Sequence, residues 1–219
     1  GAGRWNPTAR LMGSAVAVGL AASALAGGGG GAIAPFTEEA LQRGIDYPVT
    51  FPQIMGIYGF GSGFADLDGD GDPDLILLGK DGGAIGLYEN NGRGVFIDHS
   101  DTCGITGLTK PSSFCAGDLD GDGIVDLYIT QIDAGNRVYR GLGGFAFAQS
   151  FVTPLPAVNG PCKAPSLADF DNDGDLDIFV PVYRNGSPGG IGKSSSLFRN
   201  DGGMHFTDVA AANGLTKPA

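Results

Sequence analysis

Phe64–Gly79 reads FADLDGDGDPDLILLG, Cys115–Thr130 reads CAGDLDGDGIVDLYIT, and Ser166–Pro181 reads SLADFDNDGDLDIFVP. Their first loop aspartates are Asp66, Asp118 and Asp169, spaced by 52 and 51 residues. Self-similarity at a fixed period of this size marks a repeat architecture. A second matching piece follows each: Leu87-Tyr88-Glu89-Asn90, Val138-Tyr139-Arg140-Gly141 and Leu197-Phe198-Arg199-Asn200. Then come a Gly-rich turn and an aromatic-containing strand: Val95–Asp98, Phe145–Ala148 and His205–Asp208. Each unit therefore reads strand, Asp loop, strand, turn, strand, turn, strand. Apolar runs such as Leu75–Leu78 and Ile178–Val180 suit strands buried between packed sheets.

The loops carry the chemistry. Asp66, Asp68 and Asp70 occupy positions 1, 3 and 5, Gly71 allows the sharp turn at 6, the carbonyl of Asp72 stands at 7, and Asp74 supplies 9. Loop two offers Asp118, Asp120, Asp122, the carbonyl of Ile124, and Asp126. Loop three offers Asp169, Asp171, Asp173, the carbonyl of Asp175, and Asp177. Hard oxygens at this spacing suit calcium better than zinc or copper, and magnesium prefers tighter octahedral sites with more water. An EF-hand would want Glu at position 12 between helices. Position 12 here is Leu77, Ile129 or Val180, and the flanks are β-like. Asp and Gly also dominate ordinary turns. Three loops with one ligand pattern favour three calcium sites over that reading.

Tyr58-Gly59-Phe60-Gly61 together with the three D-x-D-x-D-G-x-x-D loops resembles FG-GAP and VCBS repeats. The likeness covers roughly residues 55–219 and implies a mainly β fold of propeller-like blades over about 55–111, 112–163 and 164–219. Closed propellers of that family have six or seven blades, whereas three loops are present here. Gly214–Ala219 parallels Gly107–Ser112, so a further loop would be due soon after Ala219. The expectation is an incomplete propeller, extended by more chain or completed by neighbouring subunits, because an open sheet edge invites pairing.

The bulk numbers agree. Forty glycines and 13 prolines in 219 residues punctuate many short strands. The net charge of −11 argues against nucleic acid as a partner. Fourteen of the 24 acidic residues lie in the three loops, and three divalent cations would bring −11 to −5. Cys103, Cys115 and Cys162 form no C-x-x-C. Cys103 and Cys115, the closest pair, are read either as a disulfide or as free thiols.

Residues 1–31 read as an apolar segment and glycine joint. Leu11–Ala26 is uncharged, follows Arg4 and Arg10, and precedes five glycines at Gly27–Gly31. The layout fits a cleavable signal peptide or a retained anchor or packing helix, with the remainder outside the cytoplasm. Residues 32–54 should form a short helix over 38–43, capped by Thr37 and stopped by Gly44, then an extended lead-in.

Other motifs carry little. Gly192-Lys193-Ser194 has Ser187 where a phosphate loop needs Gly. His99 and His205 occupy unmatched repeat positions, without a nucleophile pattern beside them. Asn185-Gly186-Ser187 is a glycosylation sequon on sequence alone. The reading is a non-enzymatic, calcium-binding, extracytoplasmic structural or interaction module. Its partners would be other subunits or copies of itself, with a membrane engaged through Leu11–Ala26. The alternative is a glycan-binding propeller using Tyr88, Tyr139, Tyr183 or Phe198, and less so a polysaccharide-acting enzyme.

Overall fold

Twelve short strands form three separate four-stranded antiparallel sheets in the computed structural model, which describes residues 37–48, 61–132, 134–150, 155, 164–182 and 195–215. Sheet one is the meander β1 (Ser62–Ala65), β2 (Asp74–Leu77), β3 (Gly86–Asn90) and β4 (Phe96–Asp98). Sheet two is β5 (Pro111–Gly117), β6 (Asp126–Gln131), β7 (Arg137–Gly141) and β8 (Phe147–Gln149). Sheet three is β9 (Ser166–Ala168), β10 (Asp177–Val180), β11 (Ser196–Asn200) and β12 (Phe206–Asp208). The described residues from Glu38 onward belong to one compact unit.

The register places all three Asp loops alike. Ala65 pairs with Asp74, Gly117 with Asp126, and Ala168 with Asp177. Each loop is thus the hairpin between the first and second strands of its sheet. Its position-9 aspartate opens the second strand.

The sheets pack through their faces. All six residues of β6 are buried. Alternate side chains leave a strand on opposite faces. Leu127 and Ile129 accordingly join Ile76, Leu87 and Leu67 of repeat one, while Tyr128 joins Ile178, Val180 and Phe198 of repeat three. A strand covered on both faces needs a continuous apolar run, which is what LYI supplies. Two glycines permit the close approach of first strands. A Cβ on Gly63 would stand 3.0 Å from the Phe114 ring, and one on Gly117 would stand 2.6 Å from Leu167. Asn200 adds a polar stitch, donating from Nδ2 to the Leu119 carbonyl of loop two at 2.7 Å.

The turn that follows sheet three is matched by one that precedes sheet one. Asn213, Gly214 and Leu215 donate to the carbonyls of Val209, Ala211 and Ala210. Arg43, Gly44 and Ile45 make the same three bonds to Glu39, Leu41 and Ala40. The sequence carries the match, since Thr37-Glu38 and Gly44 align with Thr207-Asp208 and Gly214. The lead-in before sheet one therefore has the turn geometry found after sheet three.

Several expectations need correction. The helix expected over 38–43 is a single 3-10 turn at Leu41–Arg43. Thr37 does not cap it. No side chain does; Glu38 Oε1 accepts from the N–H of Ala40, the residue before the turn, at 2.8 Å. Gly44 does stop the turn, at φ 91°, and a Cβ there would meet the Phe96 carbonyl oxygen at 2.2 Å. Cys103 and Cys115 are free thiols, Cys103 being buried in the core between sheets one and two. Leu11–Ala26, the glycine joint, Cys162, Tyr183, the Asn185 sequon and Gly192–Ser194 lie outside the described residues.

Candidate metal centre

Each loop is held by its own aspartates. In loop one, Asp66 accepts from the N–H of Gly69 at 2.8 Å and of Gly71 at 3.0 Å. Asp68 accepts from the Asp70 N–H and Asp70 from the Asp72 N–H. Loop two repeats this, with Asp118 accepting from Gly121, Asp122 and Gly123, and Asp122 from Ile124. In loop three Asp169 accepts from Asp173 and Gly174, and Asp173 from Asp175. Such Asx bonds mimic backbone turns, so aspartate at alternate positions folds the hairpin back toward its own first residue.

This curling gathers carboxylates. One carboxylate oxygen from each of Asp66, Asp68 and Asp70 lies within 4.8 Å of the others. The same holds for Asp118, Asp120 and Asp122, and for Asp169, Asp171 and Asp177. Three carboxylate oxygens this close together, with spare lone pairs, supply part of the roughly six to eight oxygen donors that calcium takes. The arrangement fits calcium chemistry. Asp72, Ile124 and Asp175 stand at loop position 7 as read from the sequence.

The position-9 aspartates have a second task that the sequence reading missed. Asp74, Asp126 and Asp177 are at most 2% exposed. Asp126 Oδ2 accepts from the Leu119 N–H at 2.7 Å, and Oδ1 from the Gly141 N–H at 2.7 Å. Asp74 accepts in the same way from Leu67 and Asn90, and Asp177 from Phe170 and Asn200. Each carboxylate thus bolts loop position 2 to the third strand of its sheet. Burial pushes the Asp126 carboxyl up to about 6, against the pull of its two backbone donors. Asp74 is raised by burial likewise. The signal was available: an aspartate immediately before a run such as LIL or LYI must enter the core with its strand.

The loops differ in the charge beside them. In loop two Arg140 of β7 reaches Asp120 through Nε at 2.5 Å and Asp122 through Nη2 at 2.6 Å. Asp122 is held below the usual range, first by the Ile124 N–H and then by Arg140. In repeat one the matching residue is Glu89. Asp68 is raised by partial burial, with the charges of Asp70, Glu89 and Asp66 adding to the effect. In repeat three it is Arg199, which pairs with Asp201 at 2.6 Å. Asp171 is raised, first by loss of water and then by Asp173 and Asp177.

The remaining candidates have structural places. His99 pairs with Glu89 at 2.7 Å and stacks on Phe145 with centroids 4.6 Å apart. Tyr88, Tyr139 and Phe198 are at most 1% exposed, so none of the three offers a sugar-stacking face. The tyrosine hydroxyls instead donate to the carbonyls of Asp46 and Thr106 in the segments preceding their sheets.

Tandem four-stranded sheets with an Asp loop at the same hairpin define a class of Asp-loop β-repeat proteins. A family model for the FG-GAP-like repeat matches residues 66–129 and again 118–180. The chain belongs to that repeat family. It is 28% identical over 120 residues to cartilage acidic protein 1 of Mus musculus, which is 51% of this chain and 18% of that protein. The Homo sapiens protein of the same name is 27% identical over 117 residues, again 51% and 18%. The match thus spans less than a fifth of the length of these relatives.

Proposed function

We propose that this chain is a calcium-stabilised interaction module working outside the cytoplasm, its three sheets being consecutive blades of a propeller. The observation that carries the reading is that a carboxylate triad recurs on the same hairpin of all three sheets, from positions 1, 3 and 5 in loops one and two and from positions 1, 3 and 9 in loop three. Gathering three anions costs free energy in the empty loop, and a divalent cation offsets it. Sites of this kind fill at the millimolar calcium found outside cells. FG-GAP-like repeats are typical of extracellular, non-enzymatic proteins, which accords with the same reading. Among the described residues no helix is long and apolar enough to cross a membrane. The module would serve as a rigid surface for other subunits or further copies of itself.

Equilibrium dialysis of the purified chain against about 1 mM calcium, comparing total metal on the two sides of the membrane, tests the reading. Three calcium ions per chain are expected. No excess calcium on the protein side contradicts it.

A further inference from the structure

The three loops share a ligand pattern, yet the third strand of each sheet sets a different charge beside it: Glu89 in β3, Arg140 in β7, Arg199 in β11. The Arg140 guanidinium bridges Asp120 and Asp122, two of the three carboxylates that converge in loop two. It therefore stands as a cation where the loop would take one. Arg199, at the equivalent place, is turned to Asp201, whose other oxygen accepts from the Thr207 hydroxyl at 2.7 Å. Glu89 brings an acid to the same side of loop one. An ion entering loop two must displace a guanidinium from two ligands and then sit beside its positive charge.

We propose that Arg140 is a built-in counter-ion of loop two, making it the weakest of the three calcium sites and loop one the strongest. The inference rests on the calcium reading above. It gives the module one loop that fills and empties at higher calcium than the other two. Because Arg140 is 48% exposed, its guanidinium can swing into water when the ion arrives. The emptied loop two keeps its shape because the arginine neutralises it, whereas the other two lose their compensating charge with the ion.

Calcium calorimetry on the metal-free full chain at low ionic strength tests this, with Asp118→Ala marking the loop-two class and Asp66→Ala the loop-one class. With Arg140 intact, Asp118→Ala should delete the weakest class. Arg140→Gln should tighten that class about tenfold, the scale of removing one adjacent unit charge facing a divalent ion. Arg140→Lys, which keeps the charge, should shift it far less. Glu89→Arg should weaken the loop-one class by a similar factor, an independent arm should Arg140→Gln fail to fold. Three classes of equal affinity, or no tightening in Arg140→Gln, would overturn the inference and leave the calcium reading standing. Absence of calcium binding in the unsubstituted chain would overturn both.

Discussion

In loops one and two the aspartates form two sets that face different worlds, whereas in loop three the position-9 Asp177 also joins the carboxylate triad. Positions 1, 3 and 5 form a rim that holds the hairpin's shape through bonds among its own residues. Position 9 forms a floor, buried, tying the loop to the third strand. Asp118 serves three N–H groups of its own loop, while Asp126 serves Leu119 and, 15 residues on, Gly141. The same residue type in one motif thus separates into a rim suited to metal and a floor that belongs to the fold. Metal should matter most to the rim, and folding most to the floor.

The largest expected effect is at the floor. Asp126→Ala strips two buried N–H groups of their acceptor, each costing about 1–3 kcal/mol, so a loss of about 3 kcal/mol is expected even without calcium. Chemical denaturation in chelator measures it. A loss below about 1 kcal/mol would show that the floor carries little of the fold.

Acid sharpens the contrast. The Asp126 carboxyl titrates at about 6 in the fold, against about 3.9 in an unfolded chain. The folded state therefore binds its proton more readily, and this group favours folding below the unfolded value. That contribution is lost as pH rises through about 6. Metal-free protein should gain stability on acidification from about pH 7 to about pH 5, and calcium-loaded protein should lose it, because bound metal needs the carboxylates ionised. Melting curves over this range in chelator and in calcium read the two signs.

The smallest effect is at the rim. Asp118→Ala removes local turn bonds exposed to water and should cost about 1 kcal/mol in chelator. In calcium the deficit should grow, because one site goes with it. An equal deficit in both conditions would deny the rim its metal.

Much of this was legible in the chain. The spacing of 52 and 51 residues set the repeats, and alternation in LDGDG against LYI set where loop ended and strand began. Local chemistry explains why: Asx turns and apolar runs are decided within a few residues. The double duty of Asp126 depends on Gly141 arriving from another strand. The bridge from Arg140 to Asp120 and Asp122 depends on the register of β6 with β7. Both are long-range contacts, so a motif reading in which position 9 is simply a ligand passes over them. The short helix failed for a related reason, as the turn before Gly44 is copied from the repeat's own ending and Thr37 stands where Thr207 stands in β12. The turn is left without a side-chain cap, and Glu38 takes only the N–H of Ala40 ahead of it.

The central claim is that calcium binding and folding are one equilibrium at these loops. Thermal unfolding of the full chain in chelator and in about 2 mM calcium tests it most directly. With three sites averaging about 0.1 mM, the gain should be about 5 kcal/mol, a rise in Tm of roughly ten degrees or more. Superimposable melting curves in the two buffers would contradict it.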